Sequence, residues 1–253
     1  MFVAVLGVFA CRTAAPSPRS SETTPPAVAR AAASPGTVWL LFVDDLHFDF
    51  RRTGYVKDFL KRLANELIQD GDMFAVRSSG PSSLAVDLTA DRGLLEGAIQ
   101  RTSGAGLTPF EILDAGQGPG LSAELLYRAK VALSAANEMM KGAPPVDDRP
   151  KALIYISSGY DFELSTLRGQ VSALTRDAKA LRIRIFAVDP RGLGSPPTPG
   201  ASVGVYALAA HLAMTRKSLR FIAEQTGGFA EHDDLGGALN RIGAAVRGPA
   251  QTR

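Results

Sequence analysis

The chain has 253 residues, 45% of them hydrophobic, which allows one sizeable core in one large domain or two small ones. Net charge is only +3 despite a pI near 9.1, and the Lys and Arg residues are scattered without interleaved aromatics, which argues against nucleic-acid binding. Cys11 is the only cysteine, so internal disulfides and cysteine-rich metal sites are excluded.

Met1 to Ala10 is apolar, too short to span a bilayer, and fits the h-region of an export signal. Val8-Phe9-Ala10-Cys11 resembles a bacterial lipobox, although a basic n-region is missing from this start. Residues 1–11 are therefore expected to be a leader, and Cys11 a candidate for lipidation. Residues 12–36 are rich in Ala, Pro, Ser and Thr and read as a tether. A folded domain is expected over 37–247, with a disordered tail over 248–253.

Thr37 to Val43 is a continuous apolar run, the pattern of a buried strand, and it stops at Asp44-Asp45. Two carboxylates at the tip of a buried parallel strand lie where open α/β sheets place ligands. Tyr55, Val56, Phe59, Leu60, Leu63, Leu67 and Ile68 recur at helical spacing up to Gly71. Met73 to Val76 reads as a second strand. After the turn Ser78-Ser79-Gly80-Pro81, Leu84, Val86 and Leu88 alternate as in a half-exposed antiparallel strand. Thr89 is the expected N-cap of a helix carrying Leu94, Leu95, Ala98 and Ile99.

Gly104 to Gly120 reads as a long loop with an apolar centre at Phe110 to Leu113. Anion binding at its Gly116 to Gly120 end is disfavoured, because Pro119 lacks an N–H and no strong strand leads in. A helix follows with Leu125, Leu126, Ala129, Leu133 and Ala136 on one face, and Met139-Met140 reads as packing at its end. Ala152 to Ile156 is a buried strand ending at Ser157-Ser158-Gly159. A helix with Leu167, Val171, Leu174, Ala178 and Leu181 leads to a strand at Ile183 to Val188. Asp189 to Gly204 reads as a Pro/Gly-rich loop. Two helices, around Leu219 to Ala223 and Leu235 to Val246, flank a short strand near Phe229. The alternation predicts one doubly wound α/β domain, its central sheet mostly parallel with one antiparallel edge strand and helices on both faces.

Four segments in this order resemble von Willebrand factor A domains, and most closely the A-related group in exported proteins of acidobacteria. They are the strand ending at Asp44-Asp45; Val86 to Asp91; Lys151 to Asp161; and Leu219 to Gly228, with its Thr-Gly-Gly turn. The resemblance implies a Mg²⁺ or Mn²⁺ held at the top of the sheet, whose open position a partner's carboxylate completes. The family's D-x-S-x-S loop would start at Asp44, which places Leu46 and Phe48 where the serines belong. Thr108 stands for the family's threonine, and Ser158 replaces the Asp of its Asp-Gly turn, with Asp161 just beyond. The candidate metal residues are thus Asp44, Asp45, Thr108, Ser158 and Asp161, a hard-cation set with parts missing.

His47 lies beside Asp45 and Asp49 and is a further candidate at the sheet top; His211 and His232 read as surface or helix-end residues. The Asp44-Asp45 pair also resembles that of response-regulator receivers, but later strands end at Ser158 and Asp189 with no lysine at the expected place. No G-x-S-x-G elbow is present. The expected function is a non-catalytic, extracytoplasmic adhesion or scaffold domain with a degenerate metal site. It would contact an unidentified protein partner, with the membrane reached only through the lipid anchor. The alternative is a rearranged divalent-metal site with hydrolase or phosphate-binding activity.

Overall fold

A computed structural model describes residues 36–114, 119–143, 149–161, 166–192 and 204–248. The leader, all but Gly36 of the tether, and all but Gly248 of the tail lie outside these residues. Six strands form one sheet: β1 (Val38–Val43), β2 (Met73–Ser78), β3 (Ala85–Thr89), β4 (Lys151–Ile156), β5 (Ile183–Val188) and β6 (Ala230–Glu231). Their order is β3-β2-β1-β4-β5-β6, with every pairing parallel except β2 with β3. The described helices are α1 (Thr53–Arg62), α2 (Arg92–Arg101), α3 (Pro109–Asp114), α4 (Pro119–Gly142), α5 (Arg168–Ala180), α6 (Val205–Glu224) and α7 (Leu235–Arg247). No described helix is long and apolar enough to cross a membrane.

β1 is buried along its whole length because both faces of the sheet are covered. Trp39, Leu41 and Val43 point into a core shared with α1, α2 and α7. Val38, Leu40 and Phe42 point into a second core with α4, α5 and α6. The expected doubly wound sheet is therefore the observed one, antiparallel edge included.

At the bottom of the sheet, Asp72 fastens three segments together. Its carboxylate accepts from the Thr37 N–H at 2.7 Å, the Trp39 indole at 2.9 Å and the Gln69 N–H at 2.9 Å, and it pairs with Arg247 of α7. Burial pushes the Asp72 carboxyl up, but these donors and the Arg247 charge outweigh it and hold the group below its ordinary value.

The two sheet edges differ. On β3, Asp87 projects into solvent and pairs with Arg77 of β2 at 3.5 Å. On β5, only Ala187 and Val188 pair with β6; the Ile185 N–H instead donates to the Thr226 hydroxyl at 2.9 Å. Gly228 lies so close to this edge that a Cβ there would sit 1.9 Å from the Ile185 carbonyl oxygen.

Three expectations are corrected. Thr89 ends β3, and the N-cap of α2 is Asp91, whose side chain accepts from the Gly93 N–H at 2.9 Å. Residues Phe110 to Leu113 belong to α3 rather than to a continuous loop, because Thr108 and Glu111 close a capping box. The Thr108 N–H donates to Glu111 Oε2 at 2.7 Å, and the Glu111 N–H donates to Thr108 Oγ1 at 3.1 Å. The helix expected around Leu219 to Ala223 extends back to Val205. Its upper half carries buried His211, Thr215 and Ser218, polar positions that interrupt the apolar period.

Candidate functional site

β1 is joined to β2 on one side and pairs with β4 on the other, so chain direction across the sheet reverses between β1 and β4. That switch point opens a crevice at the strands' C-terminal ends. Asp44 follows β1 there and Ser157 follows β4, and the Asp44 N–H bonds to the Ile156 carbonyl at 2.8 Å.

The Asp44 carboxylate is fully buried, with four donor groups within hydrogen-bonding distance. Oδ1 takes His47 Nδ1 at 2.9 Å and the Ser79 hydroxyl at 2.8 Å; Oδ2 takes the Ser157 hydroxyl at 2.7 Å and the Tyr160 hydroxyl at 3.0 Å. Burial pushes this carboxyl up, yet the His47 charge and the hydrogen bonds from His47, Ser157 and Ser79 hold it below its ordinary value. Since the Tyr160 proton is given to Asp44, the contact between the Tyr155 and Tyr160 hydroxyls has Tyr155 as donor. Burial, with the Asp44 charge, pushes both phenols well above their usual range. The His47 ring also stands edge-on to the Tyr160 ring, 4.8 Å between centroids.

A glycine makes this arrangement possible. Gly159 adopts φ +77°, and a Cβ on it would lie 2.2 Å from the Thr215 carbonyl oxygen of α6. The close approach lets the Tyr160 N–H reach the Ser218 hydroxyl at 2.9 Å, which aims the Tyr160 ring at Asp44.

The other candidate residues have separate partners. Asp45 is buried and accepts the Ser82 N–H at 2.7 Å; its other oxygen lies 3.0 Å from the Ser79 hydroxyl. Ser79 has one proton for Asp44 and Asp45, so it donates to one of them at a time. The Thr108 hydroxyl caps α3. Asp161 accepts from His211 Nδ1 at 2.5 Å, and Ser158 forms no hydrogen bond among the described residues. His211 is 5% exposed, which corrects its reading as a surface residue. Its imidazole and that of His47 line the same small cavity as Ser158, Asp161 and Tyr160, with a volume of about 40 Å³. Among the described residues neither imidazole is hydrogen-bonded to Ser158.

This donor set does not fit a resident Mg²⁺ or Mn²⁺. Among the described residues no three His, Cys, Asp or Glu side chains gather as a metal-binding group. Both oxygens of Asp44 are already bonded to protein donors, and Phe48, at a position where the family places a ligand, is 1% exposed in the apolar core. Hard divalent cations require several converging oxygens, most of them unengaged.

A larger cavity of about 370 Å³ lies beside the first, within the usual range of roughly 300–1,000 Å³ for ligand sites. Asp49, Arg51, Arg52 and Tyr55 form one wall, Thr108 to Phe110 a second, and Arg191 with Leu208, Leu212 and Arg216 a third. Asp189 beneath it holds Arg191 in a two-pronged pair, with Nε at 2.9 Å from Oδ1 and Nη2 at 2.7 Å from Oδ2. Arg191 Nη2 also donates to the Thr215 hydroxyl at 2.8 Å.

Sequence reasoning missed Ser79, Ser157, Tyr160 and Arg216. The first two sit at strand ends beside Asp44, a signal that a topology would have exposed; Arg216 reaches the cavity only through the length of α6.

The sequence matches no known family profile and no curated protein. Among solved structures, the chain is similar to the N-terminal domain of TFIIH p34. The TM-score is 0.39 at 12% identity, over 82% of this chain and 96% of that one.

Proposed function

We propose that this chain is a non-catalytic protein-interaction domain of von Willebrand A type, working without a metal ion through the end of the sheet where the parallel strands finish. The observation that carries this reading is the placement of exposed apolar side chains. Of the seven large hydrophobic residues exposed among the described ones, Phe50, Tyr55, Val205 and Tyr206 lie at that end. Tyr206 is 92% exposed and Phe50 71%. Large aromatic side chains on loops and helix starts above a rigid sheet are typical anchors for a partner. In the same reading the domain is exported, and Cys11 carries its anchor.

Photo-crosslinking tests it. A benzophenone amino acid at Phe50 or Tyr206 is expected to give discrete protein adducts in host cells, while one at Leu94 or Phe221 gives none. Equal adducts at all four positions, or none, would sink the reading. The alternative of a rearranged metal-dependent hydrolase makes the opposite demand on metal. Millimolar Mg²⁺ or Mn²⁺ is expected to leave the melting temperature unchanged, and a saturable rise abolished by Asp44→Ala would restore that alternative.

A further inference from the structure

Each of the four arginines around the 370 Å³ cavity already has a partner. Arg51 Nε lies 3.3 Å from Asp49 Oδ1, and Arg191 forms its two-pronged pair with Asp189. Arg216 pairs at 3.8 Å with both Asp189 and Asp233. The Arg52 guanidinium lies 5.8 Å from the centre of the Tyr55 ring. An incoming carboxylate would have to displace one of these partners, and Asp49 in the wall would repel it. The charges are thus spent on holding the guanidinium groups in place. A guanidinium fixed by carboxylates at its edge still offers its flat faces, which attract the electron-rich face of an aromatic ring. The contact between Arg52 and Tyr55 is such a pairing, built into the cavity wall itself. Arg51 and Arg216 are the two whose side chains stay accessible, at 67% and 32% exposure, against 9% for Arg191.

The rest of the lining is apolar. Leu208 and Leu212 recur four residues apart on one face of α6, and Pro109 and Phe110 begin α3. Four guanidinium charges against the carboxylates of Asp49, Asp189 and Asp233 leave one positive charge over. That balance suits an electron-rich ring face and disfavours an entering lysine or arginine. Phe50, next to Arg51 in the chain, is exposed and carries apolar surface beyond the cavity, more than a single small molecule would cover. We propose that the cavity seats an uncharged aromatic side chain of a protein partner, its ring stacked on the accessible faces of Arg51 and Arg216 and its edge resting on Leu208, Leu212 and Phe110. This rests on the interaction-domain reading and names the chemistry of the partner's anchor.

The probes are N-acetyl-tryptophanamide, N-acetyl-leucinamide and N-acetyl-aspartamide with its side-chain carboxylate free, titrated into the full chain with a metal chelator present and followed by methyl chemical shifts. The tryptophan probe is expected to saturate, its ring current moving the methyls of Leu208 and Leu212 upfield. The leucine probe is expected to bind about fivefold more weakly, the order of preference that a guanidinium–ring contact gives. Arg51→Gln or Arg216→Gln should reduce that preference; Arg51 is exposed, so its variant keeps the fold. Leu212→Trp, which places one of the chain's own rings in the cavity, should abolish binding and remove the protein adducts formed from Phe50 in host cells. Equal binding of the leucine probe, tighter binding of the aspartate probe, or no saturation by any probe would overturn the proposal. So would insensitivity to both arginine variants or to Leu212→Trp. Adducts from Phe50 or Tyr206 persisting in those cases would leave the interaction domain standing and refute only the aromatic seat.

Discussion

Asp44→Ala separates a structural carboxylate from a metal ligand. In the structure, Asp44 is a buried anion with four donors converging on it at 2.7 to 3.0 Å. Removing it leaves the Ser157 and Tyr160 hydroxyls without their acceptor inside a packed core. Breaking one side of a buried, hydrogen-bonded charge network costs about 3–5 kcal/mol. Against a total domain stability of about 5–15 kcal/mol, that is a large fraction. The assay is urea unfolding read by fluorescence, for which the single tryptophan, Trp39, is buried in the central strand. With a denaturant slope of about 2–3 kcal/mol/M, the midpoint should fall by roughly 1–2 M. An Asp44 held as part of an unsatisfied acidic pair predicts the reverse: removing one of two adjacent like charges would stabilise the apo fold. A loss below about 1 kcal/mol, or any gain, would refute the internal-network account.

Gly159→Ala should destabilise by about 2–4 kcal/mol, since it combines left-handed strain with a backbone clash against Thr215; a melting temperature within a degree of the parent would contradict this. Asp72 has a depressed carboxyl in the folded state, so its contribution is fully present above the unfolded value of about 4 and is lost as pH falls through the folded one. Asp72→Asn should therefore be less stable than the parent at neutral pH, with the difference shrinking in acid, as unfolding curves at pH 7 and pH 3 would show. A constant difference across that range would remove Asp72 from the acid limb.

The fold was legible because its strands are written as apolar runs ending in polar residues, and its helices as periodic stripes. β1, β4 and β5 are buried from both sides, so their runs are continuous and stand out. α6 was legible only at its lower end, where Leu219, Ile222 and Ala223 pack on the sheet. Above that, Thr215 and Ser218 are buried to bond Arg191 and the Tyr160 N–H, a purpose invisible before the chain is folded. The same limit applies to the site. Asp44 could be singled out as a strand-tip carboxylate, but its state depends on Ser79 and Tyr160, 35 and 116 residues away. Nothing local distinguishes a carboxylate that awaits a cation from one already surrounded by hydroxyls.

The sheet edges carry one more consequence. β6 is two residues long, the neighbouring stretch of β5 gives its Ile185 N–H to Thr226, and Gly228 closes over it. The opposite edge, β3, is five residues long and carries the charged Asp87 outward. Short, covered or charged edges resist strand-to-strand pairing between molecules. A partner seeking to add its own strand would therefore find the β6 side short and covered among the described residues.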